Sequence, residues 1–181
     1  LPMLKDIEVA EGGNFAVDNG FIYTSTGYTD SSRKGQIRKL GPGLGNNILG
    51  SDEISFVDTE INTSYNEGAV SKQDIFDIEV DNNGFVYGLE SAFGKVFLYD
   101  SSCRILSVFG GGMGFGSQVG NFVTVSALAI KDNGNEVLVS DGATNKITVF
   151  KITDFGRQIK ELIGLTLKGD YEGSKAGWEE V

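Results

Sequence analysis

Two stretches of this chain, IEVDNNGFVYGLESAFGKVFLYD at 78–100 and LAIKDNGNEVLVSDGATNKITVFK at 128–151, are copies of one unit. Each opens on an apolar strand, breaks at an Asp/Asn/Gly turn and continues into two further strands. Val86 matches Val137, Val96 matches Ile147 and Tyr99 matches Phe150, all at an offset of 51. A unit of this kind buries its faces only against its neighbours, so repetition constrains the fold before any single residue does.

The offset falls close to the period of propeller blades. The best-defined unit runs from Asp74 to Phe109. Ile78 and Val80 alternate with Asp77 and Glu79, Asp81–Gly84 supplies residues that tolerate positive φ, and Phe85–Leu89 resumes the strand. Lys95–Tyr99 and Arg104–Phe109 follow as third and fourth strands, apolar on both faces as in a sheet covered on both sides. The next unit starts near Val125, turns at Asp132–Asn135, returns through Val137–Val139 and Ile147–Phe150, and lacks a fourth strand. An earlier, divergent copy is FAVDNGFIYTST, where Val17, Gly20, Phe21 and Tyr23 match Val80, Gly84, Phe85 and Tyr87 with one turn residue fewer. Gln36–Leu40 is its third strand, Tyr28–Lys34 an insert, and Ser51–Lys72 a long polar linker. The expected fold is therefore mainly β, a partial β-propeller of about three blades over residues 1–152, followed by a helical segment over 153–181.

After Phe150 the hydrophobic period changes from two to about 3.6. Phe155, Ile159, Leu162, Ile163 and Thr166 share a helical face, with Thr153 or Asp154 as cap and Gly169 as stop. Tyr171, Ser174, Trp178 and Val181 fall on a second such face. A helix is expected where the last unit lacks its fourth strand.

Composition narrows the partners. The 15 Lys and Arg against 25 Asp and Glu leave a net charge of −10, which disfavours nucleic acid and anionic membranes. No apolar run approaches the roughly 18 residues of a membrane span. The single Cys103 forms no internal disulfide. Three blades are fewer than the roughly four to eight of a closed ring, so further blades in a longer chain, or self-association, are expected to cover the end faces.

The absence of His removes His-ligated zinc and imidazole-dependent triads. Carboxylates and hydroxyls remain. In a four-stranded unit the innermost strand begins at the rim to which the loop between its second and third strands returns. That rim collects Asp74, Asp77, Glu90, Ser91, Phe93, Thr124, Ser126, Asp141, Thr144 and Asn145 as ligand-facing candidates. Asp141 and Asn145 equally fit a turn that hydrogen-bonds its own backbone. Replacing Asp77 is expected to affect ligand affinity more than stability. The Asp81–Gly84 and Asp132–Glu136 turns lack the spacing of an EF-hand, and Gly110–Gly116 lacks the Lys-Ser/Thr pair of a phosphate loop.

VLVSDGATNKITVF resembles an NHL repeat, with Val137, Asp141, Asn145, Lys146, Ile147 and Phe150 at its strand, acidic, Asn, basic, apolar and aromatic positions. FGGGMGFGSQVGNF, Phe109–Phe122, resembles the glycine-rich connection between NHL blades. Val125 stands where that family has Pro, and Gly94 where it has Asn. The tail LTLKGDYEGSKAGWEEV is similar to a tetratricopeptide unit, with Gly169, Asp170 and Tyr171 in the inter-helix turn. Together these resemble large exported or membrane-anchored bacterial proteins. The resemblance implies an extracytoplasmic location, and repeats without a convergent catalytic set point to a non-catalytic binding or scaffolding module for a protein, peptide or glycan. Gluconolactonase-like propellers hold a divalent cation, calcium or magnesium, through Glu, Asn and Asp, so a metal-dependent lactonase acting through Asp77, Glu90 or Asp141 is the alternative. A structural spacer is the third reading.

Overall fold

A computed structural model of the chain describes residues 15–25, 37–41, 75–91, 93–102, 104–112 and 118–181. Asp74, Cys103, the 28–34 insert and the 51–72 linker lie outside the described residues. The described residues are mainly β, forming three antiparallel sheets and two C-terminal helices.

Sheet 1 is a meander of β1 (Phe15–Asp18), β2 (Phe21–Ser25) and β3 (Ile37–Leu40). Sheet 2 has four strands in chain order, β4 (Ile75–Val80), β5 (Val86–Glu90), β6 (Lys95–Tyr99) and β7 (Ile105–Gly110). Sheet 3 repeats the first three as β8 (Val125–Lys131), β9 (Glu136–Asp141) and β10 (Lys146–Lys151). Asn19 and Gly20, with φ of 47° and 82°, close the first hairpin in two residues whose twist matches the strands they join. In sheet 2, Val80 lies opposite Val86, and in sheet 3 Ile130 lies opposite Val137. The second and third strands therefore keep the offset of 51, while the first strands differ by 50 because the sheet 3 turn is one residue longer.

The sheets stack face to face in chain order. Ala16, Tyr23 and Ile37 of sheet 1 pack on Ile75, Ile78, Val86, Phe97 and Tyr99 of sheet 2. The other face of sheet 2, with Tyr87, Leu89 and Val96, packs on Val125, Leu128, Val137 and Val139 of sheet 3. All five residues of β5 are buried, which explains its apolar character on both faces. Gly88 sits where a Cβ would meet Ile75 and Ile37 at 3.2 and 3.3 Å, so its missing side chain lets sheet 1 approach closely.

Hydrogen bonds join each sheet to the next. Asp77 accepts the Leu128 amide at 2.6 Å, Asn133 Oδ1 accepts the Asn82 amide at 2.8 Å, and the Ser25 hydroxyl donates to the Phe76 carbonyl at 3.4 Å. Each pair is separated by 51 residues. Stacking the sheets brings strands and turns of one unit against those of the next, and Asn82 and Asn133 occupy matching turn positions.

α1 (Asp154–Leu167) begins at Thr153, whose hydroxyl accepts the Gly156 amide at 3.1 Å, and ends before Gly169 at φ 83°. α2 (Tyr171–Trp178) begins at Asp170, which accepts the Gly173 amide at 3.0 Å. The buried side of α1 carries Lys160, Leu162 and Gly164, with Ile159 and Ile163 half-buried, whereas Phe155 is 61% exposed. The helix bonds to the hairpin turns of both neighbouring sheets: Lys160 reaches the Asn133 carbonyl at 2.7 Å and Lys168 reaches the Asn83 side chain at 2.7 Å. It thus covers the turn rim, whereas the sequence reading had it replace the fourth strand of the last unit. Leu162 faces α2, and any side chain at Gly177 would overlap it.

Candidate functional site

The antiparallel register puts the acidic candidates and the hairpin turns at opposite ends of the strands. Glu90 lies opposite Ile75 at one end of sheet 2, with Val80 opposite Val86 beside the turn at the other. Asp141 lies opposite Val125 at the corresponding end of sheet 3.

The carboxylates at that rim are directed into the protein. Asp77, 5% exposed, accepts the amides of Ile78 at 3.0 Å and Leu128 at 2.6 Å, joining sheet 2 to sheet 3 beside a bulge in β4. Glu90 is fully buried and accepts the Phe93 amide at 2.8 Å. Asp141 accepts the amides of Val123 at 2.8 Å, Thr124 at 3.1 Å, Ala143 at 3.0 Å and Thr144 at 3.3 Å. The same device closes other turns, where Asp81 accepts from Asn83 and Phe85 and Asp100 accepts from Ser102 and Arg104. A short carboxylate satisfies two or more amides that the turn leaves without ladder partners. Among the described residues, no group of three or more His, Cys, Asp or Glu comes close enough to hold a metal ion.

The remaining candidates differ in character. Thr124, Ser126, Thr144 and Asn145 are exposed, and Ser91 and Phe93 are half-buried. Ser126 shares a 2.8 Å hydroxyl contact with Ser140. Asn145 holds φ at 54°, a conformation that Asn tolerates in a turn.

Two expected results follow from these bonds. Asp77→Ala leaves the Leu128 amide buried without an acceptor and is expected to cost about 1–3 kcal/mol in urea unfolding. A loss below about 0.5 kcal/mol, the level of an ordinary surface change, would show that the inter-sheet bond contributes nothing. The expected loss, if larger than any effect on ligand affinity, would make Asp77 structural and reverse the sequence expectation. The second result concerns acid. Hydrogen bonds from Val123 first, and from Thr124, Ala143 and Thr144, hold the Asp141 carboxyl down at about 2 against the opposing effect of burial. A folded-state value below the unfolded one means that the contribution is complete above the ordinary carboxylate range near pH ~4 and disappears as pH falls through about 2. Thermal melts between these limits should fall more steeply for the native chain than for Asp141→Asn. Parallel curves would remove Asp141 as the source.

A second constellation lies at the turn rim beneath α1. Lys160 and Asp81 form an ion pair at 2.6 Å with side chains only 8% and 0% exposed. The ammonium also donates to the Asn133 carbonyl at 2.7 Å and lies over the Phe85 and Tyr87 rings at 5.3 and 5.6 Å. Burial and the Asp81 carboxylate push the Tyr87 phenol well above its usual range, so it stays protonated. Sheet 1 carries a related arrangement, with Lys39 over Phe21 and Tyr23 at 4.6 and 5.4 Å. The sequence does not signal this cluster, because Lys160 lies about 100° round the helix from Ile159, off the apolar face.

Beside the cluster, a cavity of about 440 Å³ opens between α1 and the outer strands of sheets 2 and 3. Leu98, Leu106 and Phe109 form one wall, Val137 and Phe150 another, and Ile159 and Ile163 the roof. The Phe109 and Phe150 rings meet at 5.1 Å, tilted by 59°. The reading of the sequence placed all its candidates at the opposite rim and missed this space.

The described residues define a mainly β protein in which three sheets stack and buried carboxylates close turns and join sheets. No protein-family model matches the chain, and no curated protein matches it.

Proposed function

We propose that this chain is a non-catalytic binding or scaffolding module, a three-bladed NHL-like propeller segment followed by a tetratricopeptide-like helical pair, of an exported bacterial protein. The observation that carries the reading is the outer face of sheet 3. Leu138, Ser140, Ile147 and Val149 are the repeat equivalents of Tyr87, Leu89, Val96 and Leu98, which face sheet 3 from sheet 2. Val96 and Leu89 are fully buried, whereas Ile147 is 66% and Val149 45% exposed. A face with the pattern of a covered one and the exposure of a surface fits a partner of the same kind, another antiparallel sheet. At the carboxylate rim, Thr124, Ser126, Thr144, Asn145, Ser91 and Phe93 would offer a peptide or glycan hydroxyl, amide and aromatic contacts. The use of Asp77, Glu90 and Asp141 on backbone amides supports binding over carboxylate catalysis there.

Light scattering tests the scaffold reading. The purified chain is expected to self-associate as concentration rises, and Ile147→Lys with Val149→Lys to give a folded monomer. A native chain that stays monomeric at high concentration would overturn it.

A further inference from the structure

We propose that the cavity beneath α1 is a binding site for a small, uncharged, largely apolar molecule bearing one hydrogen-bond-accepting oxygen, which Lys160 recognises. Its volume of about 440 Å³ falls within the range of small-molecule sites, as does its make-up of apolar walls with a few convergent polar groups.

The charges select the ligand. Lys160 and Lys151 both line the cavity, and both are already neutralised, Lys160 by Asp81 at 2.6 Å and Lys151 by Glu136 at 3.1 Å. An anionic ligand would therefore leave water without a net countercharge waiting for it, whereas an uncharged one loses little on entry. An ammonium has three protons to donate. The Asn133 carbonyl takes one and the Asp81 carboxylate pairs with the charge at 2.6 Å, which leaves a proton for an oxygen within the cavity. The Tyr87 hydroxyl donates its one proton to the Gly134 carbonyl at 3.4 Å, so Lys160 is the donor that remains. Phe155, 61% exposed among the lining residues, marks the mouth. An exposed aromatic at the first turn of α1 has an apolar surface to offer an entering molecule.

The dye prodan, an uncharged solvatochromic ketone, is a suitable probe with the complete chain. Saturable binding at one molecule per chain is expected, with emission shifted to the blue of its value in water. Ile159→Trp from the roof and Ser107→Trp from the opposite wall each fill the space, and each should weaken binding by about tenfold or more. Two variants from different elements keep the result independent of either one's folding, which circular dichroism checks. In Lys160→Met with Asp81→Asn the ketone loses its donor, and bound-dye emission should move further to the blue. Unsaturable binding, binding unaffected in both folded Trp variants, or tighter binding of the anionic dye anilinonaphthalene sulfonate would overturn the site. An unchanged emission spectrum in the double variant would overturn the role of Lys160. Self-association is scored separately by light scattering, so this site and the sheet 3 interface stand or fall independently.

Discussion

Lys160→Met should lower stability by about 3–5 kcal/mol, because it strands the Asp81 carboxylate in a buried position without its countercharge. The pair is almost fully enclosed, with side chains 8% and 0% exposed, so water cannot replace the lost ammonium. Urea unfolding followed by circular dichroism measures the loss. Adding Asp81→Asn should bring the protein back to within about 1–2 kcal/mol of the native chain, since a buried pair replaced as a pair leaves no isolated charge. The Asn oxygen can still accept the Asn83 and Phe85 amides that hold the turn. If the single and double variants are equally unstable, the loss comes from packing of the lysine stem and not from the stranded charge.

Gly134→Ala is expected to cost about 2–5 kcal/mol through two effects that act together. The residue holds φ at 78°, a region that L side chains rarely adopt. Its added methyl would overlap the Tyr87 hydroxyl and stand 2.7 Å from the Lys160 ammonium. Gly169→Ala separates the terms, because its φ is 83° and no atom lies within 4 Å of the added methyl. That control should lose about 1–2 kcal/mol, the backbone contribution alone. Equal losses at the two sites would mean that Tyr87 and Lys160 move aside freely, and the cluster beneath α1 would not be rigid.

Both substitutions probe contacts between segments far apart in the chain, where sequence reading is weakest. Strand content was legible because it depends on alternation and on turn residues that act locally. Lys95–Tyr99 was read to the residue, and Asn19-Gly20 and Asp81–Gly84 announced their hairpins through their φ preferences. The capped helix from Asp154 was equally local: Thr153 accepts the Gly156 amide, and Gly169 adopts the φ that ends the helix. The roles of the acids were less visible. Asp77 looked like a candidate ligand because nothing in its neighbourhood reveals that the Leu128 amide, one period away, comes to meet it.

By itself the sequence determined the repeated meander, the positions of its turns and the change to helix after Phe150, because each depends on preferences within a few residues. The tertiary structure decided what those pieces enclose. Stacking brought neighbouring units face to face and turned Asp77 into a bond between sheets. Docking α1 across two turns brought Lys160 to Asp81 and shaped an apolar cavity beside them. Contact between distant segments depends on the relative placement of whole sheets, and a local pattern of residues carries no measure of that distance.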